Sequence, residues 1–131
     1  MNPDAMTAAL KETLVPALRA RGFKGSLPHF RRVGAERVDL LTVQFDRHGG
    51  GFMVEISRCG SAGITTAWGK HVPAARVTAH DLHPSKRHRL GAPSPGVDGC
   101  WFRFDDGTPI RSVVKSLVDH LGEADRWWAS G

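Results

Sequence analysis

Glu55 is a carboxylate set inside a strongly strand-like run, between Val54 and Ile56. Strand alternation turns it away from Phe52, Val54 and Ile56. With that face open to solvent, Glu55 lines a groove with Gln44 and Arg58 and is placed for acid–base work or for pairing with cations. Lys86-Arg87-His88-Arg89 is a compact basic string, and Arg31-Arg32 is a second basic pair. Arginine and lysine on a shared face contact phosphates, so Lys86, Arg87 and Arg89 are candidate nucleic-acid ligands. Trp68 and Trp101 are the aromatic residues placed to stack on bases beside them.

Other chemistries lack their signatures. His80, His83 and His88 bracket Asp81, and histidine with carboxylate is a zinc-binding combination. No His-Glu-x-x-His and no Cys-x-x-Cys accompanies them, so no metal and no cofactor is assigned. Cys59 and Cys100 have no local context of a nucleophile, and Ser57 and Ser61 lack the Gly-x-Ser-x-Gly elbow. Gly49 to Gly51 lacks the Lys-Ser or Lys-Thr of a phosphate loop and reads as a hairpin turn. Asp105 and Asp106 read as turn formers. No residue is assigned as catalytic.

The elements that must position these side chains follow from periodicity. Asn2-Pro3 opens a helix on which Met6, Leu10, Leu14 and Leu18 recur every fourth residue. Pro16 is expected to kink or restart it. Gly22 suits the residue just past its end, with Phe23 folding back on the last turn. Pro28 to Val33 is a short strand anchored by Phe30. Val38 to Phe45 is the strongest strand signal, with Leu41, Val43 and Phe45 expected on the core face. Phe52 to Ser57 is its antiparallel partner, with one buried face. Cys100 to Phe104 is a further strand. Thr108-Pro109 starts a helix by the cap-plus-proline pattern, its apolar face running from Ile110 to Leu121, and Gly122 ends that stretch.

Between these lies Cys59 to Gly99, rich in glycine and proline. A structureless loop of that length is unusual in a compact domain, so short extended pieces are expected near Ile64 to Trp68 and His88 to Leu90. The charge is concentrated there. Arg58 to Gly96 carries six basic residues against Asp81 alone, whereas the remaining basic and acidic residues cancel, so the net charge of +5 sits in this segment.

The order of elements predicts an α+β fold: an antiparallel sheet of four to six strands with an N-terminal and a C-terminal helix packed on one face. A chain of 131 residues is most simply one domain, spanning residues 1–131, with 59–99 as an internal turn-rich basic segment. No run of apolar residues is long enough to span a membrane, and residues 1–18 do not read as a signal peptide, so a cytoplasmic protein with no membrane partner is expected. Trp127 and Trp128 are adjacent on a helix and point about 100° apart, which predicts that one caps the core and the other meets a second subunit.

Several local strings resemble a small bacterial family known as domain of unknown function 4304. They are Leu14-Val15-Pro16-Ala17-Leu18, Arg21-Gly22-Phe23-Lys24, Phe30-Arg31-Arg32, the strand Val38 to Gln44, Phe52 to Ile56, Arg89-Leu90-Gly91 and Trp101-Phe102. The resemblance spans nearly the whole chain and implies the fold above without a mechanism. It draws attention to Gln44, Arg89 and Trp101 as positions lining any groove. Three functions are compatible with these features. The first is a non-catalytic binding or regulatory domain for a protein or an anionic ligand. The second is nucleic-acid binding through the basic segment. The third is a small hydrolase or transferase whose site assembles from Glu55, Arg89 and a histidine.

Overall fold

The computed structural model describes residues 3–47, 49–91, 102–103 and 107–130. Helix α1 (Pro3–Ala20) leads into strands β1 (Lys24–Ser26), β2 (His29–Val33), β3 (Arg37–Phe45) and β4 (Gly51–Gly60). A two-stranded ribbon follows, β5 (Ile64–Thr65) with β6 (His71–Val72), and then two single 3-10 turns, Ala79–Asp81 and Pro84–Lys86. Strands β7 (His88–Arg89) and β8 (Phe102–Arg103) precede helices α2 (Ile110–Asp119) and α3 (Leu121–Ala129). The main sheet is antiparallel at every pairing, in the order β1-β2-β3-β4-β7, with β8 sharing the outer edge of β4. The chain is therefore an α+β protein whose sheet is flanked by N- and C-terminal helices.

Helix α1 forms because its apolar residues make one stripe. Met6, Leu10, Leu14 and Leu18 are all fully buried, and each contributes about 1.5–3 kcal/mol of burial free energy. The helix runs unbroken through Pro16. Glu12, whose carbonyl Pro16 cannot bond, is an exposed residue, so water can take that role. The end is a Schellman turn. Gly22 sits at φ 89° and donates to the Arg19 carbonyl, while Phe23 donates to Leu18 at 3.0 Å.

On the helix side of the sheet, Phe30, Leu41, Val43, Phe52, Val54 and Ile56 meet α1, α2 and α3 in one core. Helix α2 starts one residue later than the threonine-proline pattern predicts. Pro109 is its capping residue, accepting from Ser112 and Val113. The break between α2 and α3 falls at His120 rather than Gly122.

The opposite face of the sheet corrects the expectation of one buried face. Val38, Leu40, Thr42, Met53, Glu55 and Ser57 lie there and are also buried. Residues 61–87 cover them as a thin second layer before the chain enters the main sheet as β7, and Val38 and Leu40 pack against Val77 and Ala79 in a smaller core. The segment that looked irregular is thus the lid of a three-layer structure. Its short extended pieces fall at Ile64–Thr65 and His88–Arg89, inside the stretches expected from the sequence.

Candidate functional site

The hairpin β3–β4 turns at Asp46 to Gly51, and its register places Phe45 opposite Phe52 and therefore Thr42 opposite Glu55. Strand β2 brings His29 beside Thr42, and β7 brings Arg89 beside Glu55. The first 3-10 turn delivers His80 from the lid. Asp81 holds that turn by accepting from the backbone N–H of Thr78 at 2.8 Å. The result is a polar cluster between the sheet and its lid, drawn from five separate stretches of chain.

Glu55 is the centre of this cluster and is only 4% exposed. His80 Nε2 lies 3.3 Å from Glu55 Oε1, Arg87 Nη1 lies 3.7 Å from the same oxygen, and Arg89 Nε lies 3.8 Å from Oε2. The two arginine separations exceed hydrogen-bond length, and His80 Nε2 is buried without a hydrogen-bond partner. The carboxylate therefore attracts all three groups, the arginines at longer than hydrogen-bond contact, and the nitrogen left unbonded is that of His80. Next to them, His29 Nδ1 and Thr42 Oγ1 share a hydrogen bond of 2.9 Å, and the His29 and His80 rings meet edge to face with centroids 6.0 Å apart. Burial pushes the His29 pKa below its ordinary value, with help from His80 and Arg31; Asp81 opposes the shift. His29 is thereby held toward its neutral form.

Arginine side chains also fasten the lid. Arg87 donates to the carbonyls of Leu82 and His80 at 2.9 Å each, and Arg31 donates to Val77 at 3.1 Å. The Arg31-Arg32 pair splits between faces. Arg32 donates twice to Asp39 Oδ2, at 2.7 and 3.0 Å, on the helix side, where its guanidinium also lies over Phe23.

The residues expected from the sequence therefore scatter. Glu55, Arg87 and Arg89 come together. Gln44 shares their face of β3 but is exposed near the hairpin end, opposite Met53. Arg58 does not share the groove, because strand alternation sends it to the helix side. There it donates to the carbonyls of Trp127 and Trp128 at 3.1 and 2.8 Å and closes the end of α3. Lys86 is exposed and is engaged through its backbone, its carbonyl accepting from Ser57 Oγ at 2.8 Å and its N–H donating to the His83 carbonyl at 2.8 Å. Trp101 lies outside the described residues. Trp128 is fully buried against Phe23, so its ring has no surface to offer a partner subunit. Trp127 is half-buried, stacked on His88 with Arg58 over its ring.

The three lid histidines go to different places. His80 faces Glu55, His83 bonds Ser85, and His88 Nε2 meets Glu123 Oε2 at 2.6 Å. Among the described residues no group of three or more metal-ligating side chains converges. Cys59 stands apart from the cluster. Burial and then Asp39 raise its thiol pKa, which keeps it protonated. Sequence reasoning missed His29 and Thr42, and it singled out His80 only within a metal-type histidine cluster. Counting back from the hairpin turn pairs Thr42 with Glu55; no sequence signal places His80 against Glu55.

A three-layer α+β domain with a buried polar cluster under an arginine-fastened lid is the class that fold and site define. Residues 14–131 match the family described as domain of unknown function (DUF4304), and the chain belongs to that family. No curated protein and no solved structure matches it. Among the described residues no helix is long and apolar enough to cross a membrane.

Proposed function

We propose that this is a non-catalytic binding domain for an anionic ligand, held on the second face of the sheet where His80, Arg87 and Arg89 face Glu55. One observation carries the reading. Two guanidinium groups and an imidazole face a single buried carboxylate, at separations of 3.3 to 3.8 Å. One polar nitrogen of this group, His80 Nε2, is buried and left without a hydrogen-bond partner. A small anion adds the missing acceptor, and the fixed Arg87 makes the site preorganised. A cytoplasmic setting, with Cys59 kept as a free thiol, is part of the same proposal.

Thermal unfolding with increasing inorganic phosphate or succinate tests it. A ligand that binds only the folded chain raises the midpoint. The rise is expected in the native protein and lost in Arg89→Gln. An equal rise in both, or none in the native protein, would sink the reading.

A second reading, an acid–base enzyme using Glu55, Arg89 and a histidine, has support in the His29–Thr42 hydrogen bond and in the depressed His29 pKa, since a neutral imidazole is a competent base. Hydrolysis of nitrophenyl ester or phosphate probes that vanishes in His29→Ala but survives in Arg58→Ala would favour it over pure binding.

A further inference from the structure

The basic string singled out by the sequence is not itself a nucleic-acid face. Arg87 and Arg89 turn inward to Glu55, and His88 turns to Glu123. The lid's outer surface carries a different set. Trp68 is 79% exposed, at the tip of the β5–β6 ribbon. Its turn is tightly built. Thr66 N–H donates to the Lys70 carbonyl at 2.8 Å, Lys70 N–H donates to Thr66 Oγ1 at 3.0 Å, and Gly69 N–H donates to the Thr66 carbonyl at 2.9 Å. Gly69 sits at φ +88°, a conformation that side chains rarely adopt. The indole is therefore held out on a fixed turn at little further ordering cost on binding.

Lys70 follows in the same turn, and Arg76 follows β6; Lys86 is in the second 3-10 turn. All three are exposed and form no ion pair among the described residues. Residues 56–80 contain no aspartate or glutamate, and Asp81, the next acid, is engaged at Thr78.

An exposed aromatic ring followed along the chain by unpaired cations, in a stretch of sequence without carboxylates, matches what a single-stranded nucleic acid presents: flat bases and regularly spaced phosphates. We infer that the ribbon tip is a single-strand contact, with Trp68 stacking on a base and Lys70 and Arg76 on flanking phosphates. Stacking of successive base pairs in a duplex hides the base faces, so a single strand is favoured over a double one. This surface is separate from the Glu55 cluster and does not depend on the anion reading.

The test is anisotropy of a labelled oligothymidylate of about twelve nucleotides, at low and physiological salt, with a duplex and polyglutamate as competitors. Trp68→Ala is expected to weaken binding about tenfold, and Trp68→Phe to retain most of it. Lys70→Ala with Arg76→Ala is expected to reduce the slope of log affinity against log salt by roughly 1.4. Trp68 packs into no core, so circular dichroism should show these variants folded, and Glu55→Gln with a folded spectrum should bind the oligonucleotide normally. Absent binding at low salt, indifference to Trp68→Ala, or equal competition by polyglutamate would each overturn the inference; the last would reassign the tip to an acidic protein.

Discussion

Trp128 donates its indole N–H to the backbone carbonyl of Ser57 at 3.0 Å, from the helix side of the sheet. The hydroxyl of the same Ser57 donates to Lys86 at 2.8 Å on the lid side. One residue of β4 thus ties α3 to the sheet and the sheet to its lid. Trp128→Ala is expected to destabilise the protein by about 3–5 kcal/mol, because a fully buried ring leaves a large cavity. Ser57→Ala should cost only about 1 kcal/mol. Its signature is local: faster amide exchange in residues 82–89 with α3 unchanged. Urea unfolding and hydrogen exchange check both; uniform exchange changes would contradict the two-sided role.

Glu55→Gln removes the buried carboxylate that faces Arg87, Arg89 and His80. Two guanidinium groups then face a neutral amide, and the expected loss is about 3 kcal/mol, at the lower end for a broken buried pair because Arg89 is partly solvated. Stability to urea should fall by that order, with residues 77–91 opening first. A change within about 0.5 kcal/mol would mean the cluster is already well hydrated.

The His29 shift has a definite consequence for pH. Its folded pKa is depressed below 6.5, so the unfolded chain binds the proton more readily. Above that pH both states are neutral and this group has no effect. As pH falls from 6.5 toward the folded value, stability is lost, and below the folded value the loss is complete. The slope of unfolding free energy against pH in that window should be shallower in His29→Gln than in the native chain. Parallel slopes would assign the acid sensitivity to other groups.

Arg58 closes α3 through two carbonyls and lies over the Trp127 ring. Arg58→Ala should destabilise by about 1–2 kcal/mol through the lost helix-end hydrogen bonds. It should leave any phosphate-induced rise in melting midpoint intact, since the side chain sits on the other face from Glu55. Loss of that rise would place Arg58 back in the binding site.

Much of the fold was written in local patterns. The fourfold spacing from Met6 to Leu18, the Gly22-Phe23 corner and the alternation through β3 and β4 each specify an element from neighbours a few residues away. The family resemblance followed from the same strings. Even Thr42 opposite Glu55 follows from the turn at Asp46 to Gly51, because hairpin register is set by the turn.

The site was legible only in part. Alternation placed Glu55 opposite Val54 and Ile56, but it could not say what would cover that second face. A long segment without periodicity supplied the cover, and its two 3-10 turns decided which basic residues point where. Neighbours in one basic string ended with Lys86 in solvent, Arg87 and Arg89 on Glu55, and His88 on Glu123. Strand parity is a local property, and the sequence by itself determined it. Which charges become buried partners depends on contacts between residues tens of positions apart, and only the tertiary structure decided that.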